Sequence, residues 1–276
     1  MYEIIRKQIL NSQTARLDIA APDVAAKVKA GQFVILRNHE MGERYPLTVA
    51  SANPDGTITL IYQKVGHSTK ELDAVPVGGR VLTLAGPLGK PTEIGGVARA
   101  VVVGGGLGCA IAWPVARALT QSGAHVDMVA GFRTKDLVVL EEELARDSAA
   151  LHICTDDGTY GQKGLVTDAL RSLLEKGPYD EVFAIGPLVM MKFVVAAAKP
   201  FGIKTTVSMN PLMVDGTGLC GCCRVTVNGK ARFACVDGPD FDGYEVDFDE
   251  AIRRLSAYRA EELVMDHPCR IRTMGH

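Results

Sequence analysis

The sequence predicts a multidomain chain of β plus α/β class: an antiparallel β-barrel, a five-stranded parallel sheet and a small cysteine-bearing module. Three observations predict it. Residues 1–98 carry short, partly alternating apolar runs between turn signals, which suits a small barrel. Residues 99–208 alternate wholly apolar strands with helical stretches, the pattern of a parallel sheet covered on both faces. Residues 209–248 then gather cysteines and glycines, and 249–276 reads as an amphipathic helix and tail.

In the first segment the strands are read at Tyr2–Leu10, Ala15–Ala20, Phe33–Arg37, Leu47–Ala52, Thr57–Gln63 and Arg80–Leu84. Ala30-Gly31, Asn53-Pro54-Asp55-Gly56 and Gly78-Gly79 supply the turns. Ser68-Thr69-Lys70-Glu71 has the form of a capping box, so one short helix is expected there, with Leu72 and Val75 as its apolar side. In the second segment strands are expected at Ala100–Val103, Val126–Ala130, Leu151–Thr155, Glu181–Ile185 and Lys204–Val207. Helices are expected at Ala110–Ser122, Gly164–Glu175 and Leu188–Ala198, and Gly123, Gly177 and Gly202 fall where left-handed C-terminal caps belong. In the third, Arg224–Val227, Asn228-Gly229 and Ala231–Ala234 read as a hairpin. Phe248, Ile252, Leu255, Tyr258, Leu263 and Val264 share one face of the final helix.

Composition narrows the function. The chain has 276 residues, 47% hydrophobic and 22% charged, and 30 basic residues face 32 acidic ones for a net charge of -2. No field of that size attracts nucleic acid or anionic lipid. There is no apolar run of membrane-spanning length, and the first residues lack the basic-then-apolar layout of a signal peptide. A cytoplasmic location is expected, with neither nucleic acid nor membrane as partner. Clustered cysteines there bind metal more often than they pair.

Four of the seven cysteines lie within sixteen residues. Plant-type 2Fe–2S clusters use C-x4-C-x2-C followed by a fourth Cys, and this chain has Asp215-x4-Cys220-x2-Cys223-x11-Cys235. Asp215 is a hard oxygen donor, yet it carries the charge of a thiolate and can hold one iron without changing the net charge of the site. Gly216, Gly218 and Gly221 let the backbone curl round an inorganic core. Cys222 is surplus on this spacing, either an inert residue or a replacement for Asp215 after a local shift. The alternatives are a structural zinc site or buried cysteines without metal. Cys109, Cys154 and Cys269 stand alone and read as buried or incidental rather than as ligands.

Gly104-Gly105-Gly106-Leu107-Gly108 joins a strand to a helix, where backbone N–H groups and the helix N-terminus bind a pyrophosphate, or where glycines serve packing alone. No acidic residue ends the next strand; Gly131-Phe132-Arg133 stands there, and Arg133 is suited to a 2′-phosphate. Asp156-Asp157-Gly158 and Ile185-Gly186-Pro187 follow later strands, at the edge where ligands of parallel sheets collect. In the barrel, Arg44-Tyr45-Pro46-Leu47-Thr48 offers a cation and a hydroxyl, and Val65-Gly66-His67-Ser68-Thr69 opens the short helix.

The order barrel, glycine-rich parallel domain, cysteine module resembles, over nearly the whole chain, the ferredoxin-reductase-like flavoproteins that end in a 2Fe–2S module. The resemblance is carried by Arg44–Thr48, Val65–Thr69, Gly86-Pro87-Leu88-Gly89, Gly104–Gly108, Asp156–Gly164 and Cys235–Phe241. One branch is the electron-transfer subunit of dihydroorotate dehydrogenase. The other is the small subunit of NADH-dependent reduced ferredoxin:NADP oxidoreductase, or sulfide dehydrogenase, whose first cluster ligand is Asp. Leu47 stands where the wider family has an aromatic, and the arginine lies one residue further upstream.

The resemblance implies an FAD-binding barrel at 1–98, using Arg44, Pro46, Leu47, Thr48, Tyr62, Val65, Gly66, Ser68 and Thr69. It implies an NAD-binding domain at 99–208, using Gly104, Gly105, Gly106, Gly108, Arg133, Asp157 and Gly186, and a 2Fe–2S module at 209–248 held by Asp215, Cys220, Cys223 and Cys235. The implied activity is hydride exchange between NAD(H) and FAD, with single electrons passing through the cluster to a larger iron–sulfur flavoprotein subunit. That heterodimer reacts with ferredoxin and NADP(H) on the partner and performs electron bifurcation there. No side chain is assigned a role beyond positioning cofactors. Service to dihydroorotate dehydrogenase is the second expectation, and a nucleotide-binding regulatory protein with structural zinc the third.

Overall fold

The computed structural model describes residues 1–257. Strands β1 (Tyr2–Ile9) and β2 (Thr14–Ala20), helix α1 (Pro22–Ala25), strands β3 (Phe33–Arg37), β4 (Arg44–Ala52) and β5 (Thr57–Gln63), helix α2 (His67–Ala74) and strands β6 (Arg80–Val81) and β7 (Thr83–Leu88) form the first part. Their sheet has the order β6-β1-β2-β5-β4-β3-β7, antiparallel throughout. Its two ends, β6 and β7, are halves of one segment interrupted only at Leu82, whose N–H turns to the carbonyls of Arg37 and Asn38. The sheet therefore curls back on itself into a barrel with little exposed edge. Alternate residues Ala15, Leu17 and Ile19 of β2 and Ile58, Leu60 and Tyr62 of β5 fill the interior.

Strand β4 starts three residues earlier than its apolar pattern indicated. Its first half pairs only with β3, Ile35 opposite Pro46, and its second half continues on to β5, Val49 opposite Leu60. Pro46 thus sits on a free edge, where a missing N–H costs no ladder bond. Helix α2 also begins early. Gly66 is its N-cap and exchanges hydrogen bonds with Thr69, while Ser68 lies inside the helix and donates to Glu43. The expected capping box at Ser68 is corrected accordingly.

The second part runs β8 (Arg99–Gly105), α3 (Gly108–Gln121), β9 (His125–Phe132), α4 (Glu141–Arg146), β10 (Ala150–Thr155), β11 (Gln162–Lys163), α5 (Val166–Leu174), β12 (Glu181–Ile185), α6 (Leu188–Ala198) and β13 (Lys204–Ser208). Five parallel strands stand in the order β10-β9-β8-β12-β13, with short β11 added at one edge. Neighbouring residues serve opposite faces, as strand geometry demands. Val102, Met128, Phe183 and Ile185 pack under α3, and Val101, Val103, Val129 and Val182 pack under α5 and α6. Such a strand is apolar throughout because neither face meets water. Gly123 and Gly202 take the left-handed conformation expected of them, at φ +93° and +65°; Gly177 does not.

Barrel and sheet are joined through α3. Arg117 donates to the carbonyl of Ala50 at 3.0 Å and to the hydroxyl of Ser51 at 3.2 Å, and its guanidinium lies over the Trp113 ring. After β13 come the cysteine loop, the hairpin β14 (Arg224–Val227) and β15 (Lys230–Phe233), then β16 (Asp240–Asp242) and α7 (Phe248–Leu255). Strand β16 returns to the sheet, antiparallel on β13 with Thr206 opposite Asp242, so the sheet draws on sequence beyond the expected boundary at 208. Cys223, Ala234, Cys235 and Met213 pack against Phe33 and Ile35 on the outer face of the barrel. Phe248 anchors α7 to the sheet's core. Tyr258, Leu263 and Val264 lie outside the described residues. Among the described residues no helix is long and apolar enough to cross a membrane.

Candidate functional site

A cavity of about 1110 Å³ lies where the three parts meet. The barrel supplies Phe33, Pro46, Leu47, Thr48 and Val65; the sheet supplies Gly105, Gly106, Gly108, Arg133 and Gly186; the segment after β13 supplies Met209 and Met213. Two features of the fold create it. The free half-edge of β4 leaves Pro46–Thr48 uncovered. The chain leaves β8 for β9 on one side and reaches β12 on the other, which opens a crevice at the carboxyl ends of β8 and β12.

The glycine run does several jobs. A Cβ on Gly108 would lie 2.3 Å from the carbonyl oxygen of Ile185, and one on Gly104 2.8 Å from Cα of Cys109, so these glycines let α3 close onto the strands. Gly105 makes room for the Met190 sulfur. Gly106 adopts φ +55° and a Cβ there would meet nothing within 4 Å, so its backbone borders open space. No side chain caps α3, leaving its N-terminus facing the crevice. A shallow wall of backbone beside an uncapped helix start fits a dinucleotide pyrophosphate. Arg133 and Arg171 line the same cavity, and their guanidinium groups have no hydrogen-bonding or ionic partner among the described residues.

Several expected residues are otherwise engaged. Tyr62 is fully buried in the barrel and donates its hydroxyl to Asp73 at 3.1 Å; burial pushes its phenol well up from the ordinary range. Asp157 accepts hydrogen bonds from the N–H and hydroxyl of Thr159 at 3.0 and 2.7 Å, closing a turn, and it is its neighbour Asp156 that lines the cavity. Gly66, Ser68, Thr69 and Gly104 are not among the residues that line the cavity. Arg44 turns away from the cavity and donates to the backbone carbonyls of Val214 at 3.1 Å and Asp215 at 3.2 Å. Phe33, Met213 and Arg171 were not anticipated, and Asp156 was placed at the ligand edge without being chosen as a binding residue. Phe33, Met213 and Arg171 come into place only through tertiary packing.

The cysteine loop turns at Gly216, Gly218 and Gly221, with φ of +81°, +84° and +70°. Cys223 and Cys235 are buried with their sulfurs 3.2 Å apart, and the N–H of Cys235 points to the Cys223 sulfur. Two thiolates on one tetrahedral metal stand about 3.8 Å apart, so a small separation of this pair admits an iron. Cys220 is exposed and Cys222 half-buried. The backbone N–H of Cys222 draws the Cys220 thiol below its ordinary range, while burial pushes Cys235 up to about 12. Asp215 accepts from the hydroxyl and N–H of Thr217, and that hydroxyl holds its carboxyl below the usual range. Among the described residues no three of His, Cys, Asp and Glu converge on a single ion. A two-iron core takes its donors in two separate pairs. The donor chemistry, with one preformed sulfur pair and a glycine-rich loop carrying the others, fits the two-iron group.

Residues 210–247 match the family described as the iron–sulfur cluster binding domain of dihydroorotate dehydrogenase B. The chain is similar to a Thermotoga maritima protein named dihydroorotate dehydrogenase B (NAD(+)), electron transfer subunit homolog, at 44% identity over 95% of this chain and 93% of the other. It is 32% identical to the dihydroorotate dehydrogenase B (NAD(+)) electron transfer subunit of Clostridium perfringens, over 81% of this chain and 89% of that one. Among solved structures it superposes, at a TM-score of 0.91 and 43% identity over 96% of each chain, on a component of an NADH-dependent reduced ferredoxin-NADP oxidoreductase studied for flavin-based electron bifurcation. On identity sustained across nearly its whole length, the chain belongs to the family of dihydroorotate dehydrogenase B electron transfer subunits and their homologues.

Proposed function

We propose that this oxidoreductase subunit is the NADH-linked arm of an electron-bifurcating NADH-dependent ferredoxin:NADP oxidoreductase, working with a larger iron–sulfur flavoprotein subunit. The observation that carries electron transfer is a shared wall: Phe33 and Met213 line the cavity and also pack against Cys223 and Cys235. The observation that favours the bifurcating branch is Asp215 in place of a first cysteine, and the 43% identical solved structure supports it.

FAD, NAD(H) and a 2Fe–2S cluster are the cofactors. When bound, the flavin exchanges a hydride with the nicotinamide and the cluster carries electrons one at a time. Pro46, Leu47, Thr48 and Val65, with the Gly66–Thr69 turn that follows Val65 in the chain, would hold FAD on the barrel. Gly104–Gly108 and Gly186 hold NAD(H) at the sheet edge, and Arg133 neutralises its phosphates. Asp215, Cys220, Cys223 and Cys235 would hold the two-iron cluster. Phe33, Leu47, Met209 and Met213 would give the space between an apolar lining that lowers its local dielectric. The barrel at 1–98, the sheet domain from 99 and the cluster module from 209 are the proposed working units.

The alternative partner is a dihydroorotate dehydrogenase, which the match at residues 210–247 and the names of the relatives favour. Purification of the native complex decides between them. An iron–sulfur flavoprotein copurifying with NADH-linked ferredoxin and NADP turnover supports the proposal. A dihydroorotate-oxidising partner replaces it with the alternative. A protein without visible absorbance, carrying zinc, removes both.

A further inference from the structure

Arg44 is the first residue of β4, three and four positions before Leu47 and Thr48 on the cavity wall. Its guanidinium spans two consecutive carbonyls of the cluster loop, Nε donating to Val214 at 3.1 Å and Nη2 to Asp215 at 3.2 Å. Only a planar fork reaches both; a lysine ammonium is a single point of charge. The next residue, Gly216, presses on the barrel: a Cβ there would lie 2.8 Å from Leu88 and 2.9 Å from Ile35. The loop is therefore attached to the barrel at three successive residues, the middle one being Asp215. The Asp215 carboxylate is not part of this attachment, since it is taken up by Thr217. Arg44 has no carboxylate within ion-pair distance among the described residues, so its charge is left facing the loop.

We propose that Arg44 is a positioning residue that fastens the Asp215 end of the cluster loop to the flavin-bearing strand and, through its charge, raises the reduction potential of the cluster. The proposal rests on the 2Fe–2S reading of residues 215–235. A fixed cation beside a redox centre stabilises the form carrying the extra electron, and donors outside the ligand set tune a metal site through its ligands. One strand then sets both the flavin wall and the position of the carboxylate ligand.

The test uses the full chain purified anaerobically, as parent, Arg44→Gln and Arg44→Lys. Amide hydrogen exchange is followed by mass spectrometry before and after iron removal, with FAD content, EPR of the reduced protein and a potentiometric titration. In Arg44→Gln, exchange at Val214–Thr217 rises about fivefold with or without iron, because two anchoring hydrogen bonds are gone. Its cluster potential falls by up to about tenfold in electron affinity, or 59 mV for one electron. Its EPR g-values shift and FAD content stays at the parent level. In Arg44→Lys the potential returns towards the parent while the loop still exchanges fast, which a merely structural role does not produce. Unchanged exchange, EPR and potential in Arg44→Gln overturn the proposal. So does loss of FAD with unchanged loop exchange, which returns Arg44 to a flavin phosphate. A parent chain that binds no iron instead defeats the cluster reading, and the exchange arm then decides the fastening alone. Unaltered exchange in β8 and β12 shows that the variants are folded.

Discussion

Gly108→Ala is the sharpest probe of how the nucleotide cleft is built. The added methyl carbon would sit 2.3 Å from the Ile185 carbonyl oxygen, 2.7 Å from Cα of Gly186 and 2.8 Å from the Ile185 carbonyl carbon. All three are backbone atoms at the end of β12, so no side chain can swing aside. Restoring ordinary contact requires the start of α3 and the end of β12 to part by about 1 Å. Overpacking of this kind costs about 1–3 kcal/mol, and rigid backbone on both sides places it at the upper end. The same two elements form the crevice, so NADH affinity falls together with stability. Gly106→Ala is the control. It meets nothing within 4 Å, and its cost is only that of φ +55° for a residue with a Cβ, about 1 kcal/mol. Urea unfolding followed by far-UV circular dichroism, with NADH binding by fluorescence, measures both variants. Gly108→Ala within about 0.5 kcal/mol of the parent and with parental NADH affinity refutes the close-packing account.

Cys223→Ala removes one of the paired buried sulfurs and is expected to abolish iron binding, whereas Asp215→Cys keeps a cluster with an altered EPR spectrum; iron retained in Cys223→Ala counts against the ligand set. Asp147 accepts a hydrogen bond from the indole N–H of Trp113 at 2.7 Å and pairs with Arg146. Burial works to raise its carboxyl, but Arg146 and Trp113 outweigh it and hold the group below its ordinary range. A depressed folded value means that the stabilisation is complete above the unfolded value of about 3.9 and is lost as pH falls through the folded one. Asp147→Asn keeps an acceptor for Trp113 but has no such proton to take up, so its stability deficit shrinks from about pH 6 to about pH 3. Trp113 is the single tryptophan and reports unfolding by fluorescence; an equal deficit at both pH values contradicts the assignment.

The features legible in the sequence are those written in local pattern. Fully apolar strands announced the parallel sheet, and the Asp215–Cys235 spacing announced the cluster loop, because both depend on residues near one another in the chain. Closure of the barrel was not legible in the same way. Arg80–Leu84 reads as one strand, and only its pairing with β1 at one end and β3 at the other shows two strands divided at Leu82, the second running on to Leu88. Tyr62 and Arg44 carry functional groups common in flavin sites, but the Tyr62 hydroxyl is drawn to Asp73 inside the barrel and Arg44 to carbonyls 170 residues away. Long-range geometry decides both. Strand β16 escaped notice for a related reason: three residues with a mixed pattern gain their meaning only from the free edge of β13.

The most direct test of the central claim is an anaerobic NADH titration of the isolated chain, followed by visible absorbance and low-temperature EPR, with flavin and iron quantified. NADH is expected to bleach the flavin band and raise the EPR signal of a reduced two-iron cluster in one chain carrying FAD. A flavin- and iron-loaded chain whose absorbance and EPR do not respond to NADH, or a colourless chain after full iron and flavin supply, contradicts it.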